Sequence, residues 1–159
     1  MITVEFPDKN IKKFPEGTTA LDIAKSISEG LARNVLAVKI NNKLVDATQA
    51  INSNQKINIE LLTWEHDEGK STMWHSSAHL LAEAIQYYYP DAKFAIGPPI
   101  ENGFYYDIDF PKNISFSSED FTKIESKIIE LAKQKNNFTF NPISKKDALD
   151  FFSKKKNNY

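Results

Sequence analysis

Residues 2–24 read ITVEFPDKNIKKFPEGTTALDIA, and the order of elements they encode decides the fold of the first part of the chain. Ile2, Val4 and Phe6 alternate with Thr3 and Glu5, the two-residue period of a strand with one buried face. Asp8-Lys9-Asn10 supplies turn chemistry, and Ile11 to Phe14 returns as a second strand. Pro15-Glu16-Gly17 breaks that strand. Thr19 followed three residues later by Asp22 has the form of a capping box, so a helix opens there. Leu21, Ala24 and Ile27 are expected on its buried side, with its end near Gly30.

Beyond that helix, Leu36, Val38 and Ile40 mark a third strand, and Asn41-Asn42 turns it toward Lys43-Leu44-Val45. Ile57, Ile59 and Leu61 alternate again as a final strand. One helix packed across such a small mixed sheet is a β-grasp (ubiquitin-like) arrangement. Trp64 to Ser71, WEHDEGKS, is polar and acidic with one glycine and reads as a linker. The expected organisation is a domain at 1–62, a linker at 63–71 and a second α+β unit at 72–159. In that unit Trp74, Ala78, Leu81, Ile85 and Tyr88 form one apolar face of a helix from about Thr72 to Tyr89, stopped by Pro90. Lys93 to Pro99 and Gly103 to Phe110 read as two strands joined by Ile100-Glu101-Asn102-Gly103. Ser117 with Asp120 caps a helix whose buried face is Phe121, Ile124, Ile128 and Leu131. Phe138, Phe140 and Ile143 suggest a short strand, and Ser144 with Asp147 opens a last helix containing Ala148, Leu149 and Phe152.

Composition excludes several classes. The 159 residues suit one medium domain or two small ones. A net charge of −1 is unlike a dedicated nucleic-acid binder, so any RNA contact must come from local patches or another part of the molecule. No apolar run approaches the ~20 residues of a membrane helix, and the start MITVEFPDKN lacks the basic and apolar regions of a signal peptide. The absence of cysteine removes disulfides and thiolate ligands and fits a cytoplasmic protein. All but one of the 20 basic residues are lysine, which reads as a compositional bias and not as a functional signal.

His75 and His79 carry the most chemistry. A spacing of four puts both imidazoles on one helical face, a geometry for two ligands of one metal or two bases around one substrate. The bland alternative is a pair of satisfied structural histidines, since the spacing is common and lacks the glutamate of H-E-x-x-H. Zinc wants a third ligand, and the only other histidine is His66 in the expected linker, so the pair is a weak metal candidate. Gly97-Pro98-Pro99 and Asn102-Gly103 allow backbone to approach a ligand closely, or are ordinary turns. Phe104-Tyr105-Tyr106 places aromatic rings on alternating faces, for core or for stacking on a base. Lys145-Lys146 and Lys154-Lys155-Lys156 are solvated basic faces or phosphate contacts.

Together these stretches resemble a known family. WHSSAHLLAEAIQ followed by KFAIGPPIENGFYYDID is similar to the editing domain of bacterial threonyl-tRNA synthetases, and FPEGTTALDIA with KINNKLVDA resembles the TGS domain that opens those enzymes. The resemblance implies ATP-dependent threonylation of tRNA by a class II enzyme, with hydrolysis of mischarged seryl-tRNA at a second site. Serine and threonine differ by one methyl, worth only ~1–3 kcal/mol in a pocket, so a second sieve is needed. By resemblance, His75 and His79 are editing histidines, Tyr106 is a pocket tyrosine, and Ala95, Ile96, Gly97 and Pro98 form the loop beside the amino-acid pocket. Further family residues, a Lys following a Tyr that matches Tyr159 and then an Asp, a Cys and a His, have no counterpart in the chain. The resemblance therefore implies an N-terminal piece inactive by itself. Its partners would be the tRNA(Thr) acceptor end, threonine and serine. ATP, zinc and a homodimer interface are assigned to the remainder of the enzyme. Two other readings are an RNA-binding or regulatory TGS module with a vestigial second domain, and a small metal-dependent hydrolase using His75 and His79.

Overall fold

The computed structural model describes residues 1–136 and 142–154 and divides into two compact units, Met1–Met73 and Trp74–Tyr159. The first opens with β1 (Ile2–Glu5) and β2 (Ile11–Phe14), an antiparallel hairpin in which Ile2 pairs with Phe14. α1 (Ala20–Ile27) follows, held by the expected box: Asp22 N–H donates to Thr19 Oγ1 at 3.1 Å, and Thr19 N–H to the Asp22 carboxylate at 3.2 Å. β3 (Ala37–Ile40), β4 (Lys43–Val45) and β5 (Ile57–Leu62) complete a sheet of order β2-β1-β5-β3-β4. β5 lies parallel to β1 and antiparallel to β3. Asn41 and Asn42 both take positive φ, 49° and 64°, as a tight β3–β4 turn demands. Ala20 and Ile23 of α1 pack on Ile2, Val4, Val38, Ile57 and Ile59, the β-grasp arrangement.

Three details differ from expectation. The inner face of α1 is Ala20, Ile23 and Ala24, whereas Ile27 is exposed and Leu21 only half-buried. Leu21 sits in the first turn, where its N–H donates to the Ala47 carbonyl at 2.9 Å. α1 also stops before Gly30, because Ser28 takes an extended backbone and caps a new short helix, α2 (Glu29–Asn34), accepting Leu31 N–H at 3.0 Å. On β5, Leu62 is fully buried and Leu61 half-buried.

The segment read as a linker is built, not loose. His66 N–H donates to the Thr63 carbonyl at 3.1 Å, and Thr63 N–H donates back to His66 Nδ1 at 3.1 Å. α3 (Asp67–Tyr88) starts at Asp67, five residues before Thr72. Glu68 in its first turn forms an ion pair with Lys39 of β3. Gly69 is buried, and a Cβ there would fall 2.1 Å from the Thr63 carbonyl oxygen. The glycine lets the helix start against the turn; it does not supply flexibility.

In the second unit, Ala84, Ile85, Ala92, Ile124 and Leu131 form the core. Tyr89, Phe110 and Phe116 pack beside it, with Phe110 and Phe116 stacked at 4.6 Å and 13°. On α3 the innermost positions are Ala78, Ala84 and Ile85, while Tyr88 is largely exposed. β6 (Lys93–Phe94), β7 (Pro99–Ile100), β8 (Gly103–Phe104) and β9 (Ile108–Asp109) replace the two expected strands by a hairpin of two short ladders, β6–β9 and β7–β8. The arm at 95–98 has one more residue than the arm at 105–107, so the register shifts by one between the ladders. The bulge is at Ala95 and Ile96, opposite Asp107, whose carbonyl accepts Ala95 N–H at 3.0 Å and whose N–H donates to the Ile96 carbonyl at 2.9 Å.

A 3-10 turn at Ser118–Asp120, capped by Ser117, leads into α4 (Phe121–Gln134). Ile124 and Leu131 face inward as expected, but Phe121 is exposed and Lys127 is buried in its place. The lysine is tolerated because its ammonium lies 3.6 Å from the centre of the Tyr87 ring and 2.9 Å from Glu130 Oε1. α5 (Lys145–Lys154) begins at the Ser144–Asp147 pair, with Asp147 N–H donating to Ser144 Oγ at 3.1 Å. Its Leu149 and Phe152 are exposed. Of the short strand expected from Phe138, Phe140 and Ile143, the two phenylalanines lie outside the described residues and Ile143 is exposed and outside any strand, as Lys155, Lys156 and Tyr159 also lie outside the described residues.

Candidate functional site

His75 and His79 stand one turn apart on α3, as the spacing requires. Their Nε2 atoms are 3.1 Å apart and their ring planes meet at 84°. A nitrogen–nitrogen hydrogen bond needs one donor and one acceptor, so at least one ring is neutral. Partial desolvation, and then the neighbouring His75, hold the His79 pKa below the ordinary histidine value, although its side chain still reaches solvent. The lowered pKa favours the neutral form of His79, which can accept a proton.

Among the described residues no group of three His, Cys, Asp or Glu side chains converges on a metal position. The two imidazoles alone are half of a zinc ligand set at most. His66 is committed to the 63–66 turn.

The loop from Ala95 to Pro98 is brought against Tyr106. Ala95 and Ile96 share the bulge with Asp107, and the Tyr106 ring lies on Gly97, where a Cβ would fall 2.3 Å from Tyr106 Cδ2 and 2.4 Å from Cε2. Ile96 is exposed, and Pro98 is half-buried. Phe94 meets the Tyr106 ring edge-on at 5.6 Å, a contact that sequence reading missed. Phe94 and Tyr106 flank the bulge on opposite arms, and the bulge leaves no mark in the residue pattern. Trp74 and Phe104 are a second unforeseen pair, 6.4 Å apart. The described contacts of the imidazoles are with each other, and those of Tyr106 are with Phe94 and Gly97.

A separate charge cluster fastens the start of α4. Asp120 accepts the Tyr89 hydroxyl at 2.6 Å and pairs with Lys123 at 2.5 Å. Lys123, then Tyr89, then the Ser117 N–H lower the Asp120 pKa to about 2, and Lys123 is raised to about 12 by Asp120 and then Tyr89. This cluster holds structure and faces no candidate residue. In the first unit, a shallow groove of about 270 Å³ is lined by Ile40, Lys43, Val45, Gln49, Ile51 and Asn52, without a second titratable side chain beside Lys43. No described helix is long and apolar enough to cross a membrane.

Residues 2–60 match the TGS domain family. Along all 159 residues the chain is 55% identical to a threonine–tRNA ligase of Cytophaga hutchinsonii and 45% identical to one of Parabacteroides distasonis. Over 152 residues it is 43% identical to a threonine–tRNA ligase of Flavobacterium psychrophilum. The chain spans 24%, 24% and 23% of the lengths of these three relatives.

Proposed function

We propose that this chain, a homologue of threonine–tRNA ligases along its whole length with a TGS domain at its start, forms the TGS and leading editing portions of such an enzyme. In this reading residues 1–62 are the TGS domain, 63–71 join it to the second unit, and 72–159 begin the domain that removes serine from mischarged tRNA(Thr). The whole enzyme, of class II, would attach threonine to tRNA(Thr) with ATP, in the cytoplasm and as a homodimer. ATP, zinc and the dimer contacts would belong to other parts of it. The TGS-module and small-hydrolase alternatives gain no specific observation.

The observation that carries the editing reading is the His75–His79 pair, two imidazoles with their Nε2 atoms 3.1 Å apart within a homologue of threonine–tRNA ligases. The chemistry is ester hydrolysis. Water attacks the seryl carbonyl while a neutral imidazole takes its proton; the bond to the 3′-terminal ribose oxygen breaks, and that oxygen is protonated as serine leaves. The Ala95–Pro98 loop and Tyr106 would border the serine side chain, too closely for a methyl.

Deacylation of seryl-tRNA(Thr) tests this, using the 159-residue chain beside a version extended through the region that follows in its relatives. The extended protein should hydrolyse seryl-tRNA and lose roughly 10²-fold or more on His75→Ala, while the shorter chain should be inactive. An extended protein that does not deacylate seryl-tRNA would refute the editing role. A shorter chain as active as the extended one would refute the division of the site.

A further inference from the structure

We propose that Gly97 and Phe94 are positioning residues that clamp the Tyr106 ring as one wall of the amino-acid pocket, Gly97 by what it lacks; this rests on the editing role given above to the same loop. The register is the first ground. Continued inward from Pro99↔Phe104 and Ile100↔Gly103, the β7–β8 register places Gly97 opposite Tyr106. Continued inward from Lys93↔Asp109 and Phe94↔Ile108, the β6–β9 register would place Ile96 there. The bulge at Ala95, Ile96 and Asp107 therefore selects a glycine, not an isoleucine, as the cross-strand neighbour of the tyrosine.

The second ground is steric. The Tyr106 ring occupies the volume of a side chain at position 97, with two ring carbons 2.3 and 2.4 Å from where Cβ would stand. Position 97 does not have the positive φ of Gly17 or Gly103, so the demand for glycine there is one of space and not of backbone torsion. An alanine would force the ring back by about 1 Å to reach ordinary van der Waals contact. Phe94 closes a second side, edge-on at 5.6 Å, and itself packs on the core of its unit, so the ring inherits its position from the core.

A wall that tells serine from threonine must be fixed to within less than a methyl group, because one methyl yields only about 10–200-fold discrimination. A ring displaced by about 1 Å gives that up.

Two measurements decide the proposal. In the 159-residue chain with ¹³C-labelled tyrosine, Gly97→Ala should shift the Tyr106 ring signals and leave those of Tyr89 in place; unmoved Tyr106 signals in a folded variant overturn it. In the extended protein, Gly97→Ala should lower the seryl-over-threonyl preference in deacylation at least tenfold, and Phe94→Leu less. In a Tyr106→Ala background, Gly97→Ala should change that preference by less than twofold, since it acts only through the ring. Equal effects in both backgrounds overturn the clamp. Should Gly97→Ala fail to fold, the double variant with Tyr106→Ala should fold, and a double variant as unfolded as the single overturns the proposal. A parent extended protein inactive on seryl-tRNA refutes the editing role alone, while the ring signals still decide the clamp.

Discussion

Gly69→Ala separates two accounts of the junction before α3, because they predict opposite signs. If Gly69 were a flexible linker glycine in an exposed first turn, alanine would stabilise the helix by up to about 1 kcal/mol. Its surroundings say otherwise. The new Cβ would stand 2.1 Å from the Thr63 carbonyl oxygen and 2.9 Å from its carbon, both backbone atoms that cannot swing aside. Overpacking of this kind costs about 1–3 kcal/mol. To relieve it the 63–66 turn must open, risking the His66–Thr63 and Thr63–His66 hydrogen bonds at about 1 kcal/mol each. Set against the gain in helix propensity, the net is a destabilisation of about 2–4 kcal/mol. For a unit of this size that lowers the melting midpoint by on the order of 10–25 °C. Urea and thermal unfolding followed by Trp64 fluorescence, in a Trp74→Phe background, would read it directly, since Trp64 lies within the turn. A midpoint unchanged or raised would refute the close-packing account.

Thr19→Ala removes the acceptor of Asp22 N–H and should cost about 1 kcal/mol by urea unfolding, with Thr19→Ser largely neutral. Asp120 is held near pKa 2, below its ordinary value, so its contribution to stability is complete above about pH 4 and fades as pH falls toward 2. Urea midpoints from pH 2 to 6 should show that acid limb in the parent and a flatter one in Asp120→Asn; identical slopes would count against the assignment. Ile85→Ala, in the core beside Ala84 and Ile124, should destabilise the second unit by about 2–5 kcal/mol, whereas Leu149→Ala on exposed α5 should stay within about 0.5 kcal/mol, both read by chemical denaturation.

The parts of the fold written in local chemistry were legible in the sequence. Thr19–Asp22, Ser117–Asp120 and Ser144–Asp147 each pair a short acceptor with an acid three residues on, and all three cap a helical turn. The alternation of Ile2 and Val4 likewise fixed which face of β1 is inside. What failed depended on contacts remote in sequence. Ile27 and Phe121 have the spacing of a buried face, but spacing does not supply a partner surface. Lys127 is buried because Tyr87 and Glu130, one on another helix, come together around it. Gly69 read as a loosener because nothing in WEHDEGKS says that Thr63 folds back on it. In the candidate site, the histidine spacing followed from helical period alone, whereas the Phe94–Tyr106 contact depends on a one-residue bulge invisible to any period.

β5 is the last strand of the first unit to leave the ribosome, yet it lies third of five, between β1 and β3. Until residues 57–62 emerge, the nascent sheet is two separate hairpins, β1–β2 and β3–β4, and a lone hairpin is marginal in water. The bond that unites them joins Val4 to Ile57, more than fifty residues apart and parallel, which makes it the slowest closure in the unit. A chain stalled before Ile57 would leave the apolar side chains of Ile2, Val4 and Val38 without the strand that covers their edges. The unit therefore completes in one late event during synthesis, when β5 enters between its neighbours, and not by accretion from the N-terminus.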